Sequence, residues 1–149
     1  MSRNALPKCS FDCFCDIASD EIPFGVKTPF RKRSSAQIDV ARAEAQIDSA
    51  RSYVYETVEA LWSAVEQGHA ASDEARRRVR LAGIHAAAAA ASAVDLLYHA
   101  AGASAIADTC PLQRHFRDVH VVTQHLHVSS AGFERMGRLR LTGELEGLL

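Results

Sequence analysis

Four of the chain's seven histidines, His115, His120, His125 and His127, fall within thirteen positions. Imidazole titrates near neutral pH, so it can pass a proton or donate a hydrogen bond to a developing anion. His120 and Gln124 are four apart and share a helical face, as do Val121 and His125. His120 and His127, two turns apart, also align. His-x6-His with no carboxylate on that face is a weak metal set, so no metal site is assigned. A histidine near a helix C-terminus has its charged form favoured by the dipole, which suits His125 or His127; spacing does not choose between them. Arg117 and Asp118 are adjacent and cannot share a face. Arg117 reads first as a surface or inter-helix ion-pair residue, and second as a phosphate contact. Nucleophilic catalysis has little support, because there is no Gly-x-Ser-x-Gly and the cysteines lack a sequence context for a catalytic dyad; nor is there a phosphate-cradling glycine loop. Cys9-x3-Cys13-x-Cys15 is not a standard zinc spacing, and the cysteines read as reduced thiols in a cytosolic protein.

These histidines need a frame to hold them. The predicted carrier is a helix from near Thr109 to about His127, with Pro111 tolerated in its first turn. The small-residue hinge Ala101-Gly102-Ala103-Ser104 precedes it. Ser34 or Ser35 is predicted to cap a long helix to about Gln67, with Ile47, Ala50, Val54, Val58, Leu61 and Val65 in one stripe, Trp62 widening it and Gly68 as the stop. Ser72 caps the next helix, which has Asp73 and Glu74 in its first turn and runs to about Ala101. Its alanine-rich run from Ala82 to Ala93 permits close helix approach and marks it as central. The cluster Arg76-Arg77-Arg78-x-Arg80 reads as a solvated face. Phe11, Phe14, Cys15 and Ala18 share a helical face from Ser10 to about Ser19, which reads as the last turns of a helix, after an irregular leader over residues 1–9. Glu21 to Ser35 is a loop, and Ser129 or Ser130 starts a final helix with Phe133, Met136 and Leu139. The fold class is therefore all-α: an antiparallel bundle of about four main helices plus a short C-terminal one.

Composition agrees. The chain has 149 residues, 48% of them apolar and 23% charged, with a formal net charge of −1. That is enough for one domain with a core, and it gives no general attraction to nucleic acid or an anionic membrane. No run reaches the roughly 18 consecutive apolar residues of a membrane span.

The segment PLQRHFRDVHVVTQH, preceded by AAGASAIADT, resembles the C-terminal helical domain of acyl-CoA-dehydrogenase-like flavoproteins, and most of all their flavin-dependent monooxygenases. The resemblance extends upstream through QIDVARAEAQIDSARSYVYETVEALW to IPFG and covers about residues 10–146. Dehydrogenases of this family end the corresponding segment in Tyr-Glu-Gly-Thr, whose glutamate is the catalytic base. Gln124-His125-Leu126-His127 stands here without a carboxylate, which argues against acyl-CoA dehydrogenation. The resemblance selects His125 as the catalytic residue, for hydrogen bonding at the flavin ring or proton transfer to substrate. It implies a reduced flavin (FMN or FAD) as cofactor, with Phe24, Gly102, Arg117 and Gln124 on the cofactor side and Asp118 in support. Family members carry a basic residue three before the Phe of a Phe-Gly pair. Here Phe24-Gly25 is preceded at that place by Glu21, and Lys27 or Arg31–Arg33 would have to compensate.

The family's N-terminal helical domain and middle β-domain have no counterpart in these residues. The expectation is a C-terminal part that contributes one wall of a flavin and substrate site. Its expected partners are a homo-oligomer (a tetramer in the family), a chain supplying the missing domains and, indirectly, a flavin reductase. Nucleic acid and membrane are not expected partners, and the expected location is cytoplasmic. The alternative is a non-catalytic self-association module left from a truncated flavoenzyme.

Overall fold

The computed structural model describes residues 6–20, 29–107 and 109–143. Phe24, Gly25, Glu21 and Lys27 lie outside them. Five helices follow one another: α1 (Leu6–Asp20), α2 (Ser34–Glu66), α3 (Asp73–Ala101), α4 (Pro111–Thr123) and α5 (Ala131–Thr142). Single 3-10 turns occupy Phe30–Lys32 and Gly102–Ile106. Among the described residues there is no strand. The all-α bundle expected from the periodicity is the fold that forms. α1 starts at Leu6, inside the expected irregular leader. Proline near a helix start, here Pro7, costs no hydrogen bond, so the leader contains no effective breaker.

The helices divide between two compact units. The first takes the described residues up to Ile47 together with Ala90–Val121; the second takes Asp48–Ala89 and the described residues from Val122 onward. α2 and α3 each contribute to both.

In the first unit, Phe14 and Ala18 of α1, Phe30, Ala36 and Ala43 of α2, Ala93, Leu97 and Ala101 of α3 and Leu112 of α4 bury one apolar cluster. Cys15, expected on the buried face of α1, is exposed; Ser10, Phe14 and Ala18 are the buried positions. In α2 the buried residues Ala36, Ala43, Ala50 and Thr57 recur every seven, with half-buried Val40, Ile47, Val54 and Leu61 between them. That alternating four-three spacing is the seam of closely packed helices. Thr57 buries its hydroxyl at no polar cost, because it donates back to the carbonyls of Tyr53 (2.9 Å) and Val54 (3.0 Å). Val58, Trp62 and Val65, expected on the core stripe, are exposed and form a second apolar face with Tyr55.

α3 is the central helix the alanines predicted: Ala82, Ile84, Ala87, Ala89, Ala91, Ala93, Val94 and Leu97 are all buried. Ser72 caps it, accepting the Ala75 N–H at 3.2 Å. An 18-residue window within 73–106 has a mean hydropathy of 1.4, enough by length and composition to cross a membrane, with 44% of it buried in the fold. The expectation that no run of about 18 consecutive residues is apolar still holds, since His85, Asp95 and His99 interrupt the apolar run of this helix. The high hydropathy comes from alanine, mildly apolar and abundant here, and close helix packing accounts for the same composition.

The second unit closes on a tight contact between α5 and α3. Gly132 is buried, and a Cβ there would fall 2.5 Å from Ile84 Cδ1. Gly68 ends α2 with φ 80°, and Gly143 ends α5 with φ 72°, the left-handed geometry that glycine adopts without a Cβ penalty.

Candidate functional site

Gly102 follows directly on α3 and turns the chain with φ 59°. It lines a groove of about 550 Å³ together with Phe30, Arg33, Ser35, Asp39 and His99. Each wall has a local cause. Gln37, in the first turn of α2, donates from its side chain to the Arg31 carbonyl at 3.0 Å, and its backbone N–H reaches the Arg33 carbonyl at 3.1 Å. The basic loop is thereby folded against the helix start. The Arg33 guanidinium sits 5.5 Å above the Phe30 ring, a cation–π contact that fixes the charge at the rim. His99 Nδ1 lies 2.7 Å from the Asp95 carbonyl. A carbonyl only accepts, so Nδ1 carries the proton and Nε2 is the acceptor in the neutral ring. The groove thus sets a fixed cation, a hydroxyl and the amide end of a long helix, which suit a phosphate-bearing ligand, beside the Asp39 carboxylate, which opposes one.

A separate candidate, in the second unit, is the turn after α4. That helix stops at Thr123 rather than near His127, so neither His125 nor His127 occupies a last helical turn, and the dipole argument for their charged forms does not apply. His125 is instead the pivot of a tight turn. Its N–H donates to the Val122 carbonyl at 3.0 Å, and its own carbonyl accepts from Val128 and Ser129, both at 2.9 Å. His125 Nδ1 accepts the His127 backbone N–H at 3.3 Å. A backbone N–H only donates, so the neutral His125 ring holds its proton on Nε2. The ring is exposed, which leaves Nε2–H free to donate outward. His127 Nδ1 lies 2.6 Å from Arg80, and the guanidinium is the donor. The two rings lie 5.3 Å apart.

Of the site residues read from the sequence, Gly102 lines the groove. Arg117 is exposed on α4 in the first unit, while Gln124 and His125 belong to the second. Gln124 donates to Thr123 Oγ1 at 3.2 Å. Phe24 lies outside the described residues. Asp118 does not act with Arg117; it pairs with Arg114 one turn back, at 3.5 Å. The arginine cluster of α3 is largely committed: Arg77 to Glu74 at 2.7 Å, Arg78 to Glu56 at 2.9 Å and Arg80 to His127. His120, read as sharing a face with Gln124, makes its contact across helices, where its Nε2 donates to Asp95 Oδ1 at 2.8 Å. Phe116 packs between His120 and Tyr98, with ring centroids 4.6 Å from His120 and 4.4 Å from Tyr98. Sequence reasoning passed over Asp95. The available signal was a lone carboxylate in an apolar helical run, three residues before Tyr98. Among the described residues no group of three or more His, Cys, Asp or Glu comes together as metal ligands.

Residues 8–130, which include Gly102 and His125, match the family model described as the acyl-CoA dehydrogenase C-terminal domain. An indole-3-acetate monooxygenase of Pseudomonas putida is 31% identical over 134 residues, 90% of this chain and 34% of that protein. A pigment production hydroxylase of Rhodococcus erythropolis is 32% identical over 111 residues, 74% of this chain and 28% of its own. Among solved structures, XiaF from Streptomyces sp., in complex with FADH2 and glycerol, superposes with a TM-score of 0.85 at 23% identity, over 97% of this chain and 36% of XiaF. A 3-HSA hydroxylase from Rhodococcus sp. RHA1 gives a TM-score of 0.80 at 23% identity, over 97% of this chain and 37% of its own. At such identities these structures speak for the fold alone. The chain spans about a third of the length of the curated relatives it matches. With most of its residues inside one family model, and with that family's fold, the chain belongs to the acyl-CoA dehydrogenase C-terminal domain family.

Proposed function

We propose that this chain is the C-terminal helical part of a flavin-dependent monooxygenase, contributing one wall of the flavin and substrate site. The observation that carries this reading is the fixed His125 ring, anchored through Nδ1 with Nε2–H free to donate. Reduced flavin, when bound, supplies the electrons that activate dioxygen. The chain's own residues have narrower tasks. Arg33, Ser35 and the start of α2 would hold a phosphate of the cofactor, and Gly102 gives the cofactor close access to backbone. His125 Nε2–H would donate to an oxygen at the reacting centre, or return a proton to it. No carboxylate stands beside His125 in Gln124-His125-Leu126-His127, so abstraction of a carbon-bound proton by a carboxylate base, the dehydrogenase chemistry, has no local agent. A relative from Rhodococcus jostii (strain RHA1) is named as the oxygenase subunit of a flavin-dependent monooxygenase. That supports a separate reductase as the source of reduced flavin.

The test is an anaerobic titration of the purified chain with reduced FMN and FAD, alone and with a candidate chain supplying the other two domains. Hydroxylation of an aromatic substrate is then measured in the combined system. Hydroxylation is expected to fall roughly 10²-fold or more in His125→Ala; full activity in that variant removes His125 from its role.

A second reading has its own observation. Tyr55, Val58, Trp62 and Val65 form an exposed apolar stripe along α2, suited to self-association whether or not flavin binds. In this reading the chain is a helical assembly core.

A further inference from the structure

The side chains that the proposed oxidoreductase site does not use include two thiols that meet. Cys13, on α1, and Cys110, immediately before α4, pack against the same buried apolar cluster. Both line a second cavity of about 600 Å³ with Asp12, Asp16, Ser104 and His115. Both are free thiols, and Cys110 is close enough to Cys13 to affect its ionisation. We propose that Cys13 and Cys110 are a redox-active dithiol, oxidised by a small neutral hydroperoxide entering this cavity to a disulfide that ties α1 to the start of α4.

The roles follow from the surroundings. Burial, together with the adjoining Cys110 thiol, pushes Cys13 up to about 11. Cys13 therefore stays a thiol at neutral pH, and we give it the resolving role and Cys110, immediately before α4, the first attack. The Cys110 sulfur displaces hydroxide from hydrogen peroxide: an S–O bond forms, the O–O bond breaks, and the hydroxide takes up the thiol proton as water. The Cys13 sulfur then attacks the sulfenic sulfur. The S–S bond forms, the S–O bond breaks, and hydroxide leaves with the Cys13 proton as a second water. Two thiols are oxidised, one peroxide is reduced, and a dithiol reductant reverses the change. Asp12 and Asp16 at the cavity disfavour anionic oxidants, which leaves a neutral peroxide as the fitting reagent. Cys15 is exposed on a different face of α1 and lines neither cavity.

The consequence reaches the proposed cofactor groove, because Ser104 lines both that groove and this cavity. A tether at Cys110 would restrain the connection running from Gly102. The dithiol itself stands without the flavin reading, and its test uses no flavin.

The experiment treats the purified, reduced chain with hydrogen peroxide, alkylates it without reductant and maps its peptides by mass spectrometry. The expected result is the loss of two alkylatable thiols from the four cysteines of the chain, a single Cys13–Cys110 cross-linked peptide, a higher Tm, and reversal of all three by dithiothreitol. In Cys13→Ser, Cys110 is expected to be trapped as a sulfenic acid by dimedone, while Cys15→Ser forms the cross-link normally. Four alkylatable thiols after treatment of chain that is still helical by circular dichroism would overturn the proposal. So would a cross-link through Cys9 or Cys15. The peptide map of the unaltered chain decides the matter even if a serine variant fails to fold.

Discussion

His127 donates its backbone N–H to Nδ1 of His125 across 3.3 Å, and this contact fixes which nitrogen of the proposed reacting ring holds a proton. The neutral ring must be the Nε2–H tautomer. Nitrogen-15 NMR of the imidazoles should show that tautomer for His125 at neutral pH. His125→Gln, whose terminal amide can place a donor near the Nε2 position, separates the two roles proposed for the ring. If hydrogen-bond donation is the task, His125→Gln keeps much more hydroxylation than His125→Ala. If proton transfer is the task, both fall alike, by roughly 10²-fold or more.

Gly132 gives the sharpest stability prediction. A methyl group there would sit 2.5 Å from Ile84 Cδ1 and 3.1 Å from Cγ1. Ile84 is fully buried and β-branched, so it has little room to move. Gly132→Ala is expected to cost about 1–3 kcal/mol through overpacking, despite its better helix propensity. Ile84→Val removes the offending Cδ1 at a cost of about 0.5–1.5 kcal/mol by itself. The double variant should be more stable than the sum of the single losses allows. Urea denaturation of the four proteins reads the coupling directly, and simple additivity would rule out the steric explanation.

Much of this fold could be read from local signals, because those signals act locally. Ser72 caps α3 as its type and place suggest, and Gly68 stops α2 in the left-handed geometry glycine permits. What could not be read was which of two apolar stripes on α2 faces inward. Hydrophobicity favours the bulky Val58, Trp62 and Val65, yet the seam takes Ala36, Ala43 and Ala50, because close helix packing rewards small residues. The candidate site was legible in its residue types and not in its geometry. Gln-His-Leu-His-Val-Ser-Ser contains no glycine or proline, so the sequence shows no end to α4 at Thr123. The turn is held in part by Arg80, 47 residues away from His127. Asp95 escaped for the same reason: its partner His120 lies 25 residues further along the chain.

His115 makes a pH prediction. Its Nδ1 meets the buried Ser10 hydroxyl at 3.1 Å. Burial lowers its pKa below the ordinary imidazole value of 6.5, against the opposing pull of the Asp118 carboxylate. The unfolded chain therefore takes up this proton first as the pH falls. The stability contribution is fully present above pH 6.5 and is lost as the pH drops through the lowered folded value. Thermal melts between about pH 7.5 and about pH 5 should show Tm declining, and declining less in His115→Gln, which cannot titrate. Equal slopes in the two proteins would show that burial of this ring contributes nothing to the acid sensitivity.

Trp62 decides how far the assembly reading holds. It is 64% exposed on a helix whose neighbouring Tyr55 is 68% exposed, and both rings are large apolar surfaces facing water. Aromatic residues at the centre of such stripes dominate association energies, at about 2 kcal/mol or more each. If copies of this chain meet along α2, light scattering of the purified protein should report an oligomer. Trp62→Glu should then weaken it by roughly tenfold or more while leaving the helical circular dichroism intact, since the side chain supports no core contact that would unfold the monomer. A persistent monomer at the highest soluble concentration would remove self-association through this face. The stripe would then be left to a partner other than a second copy of this chain.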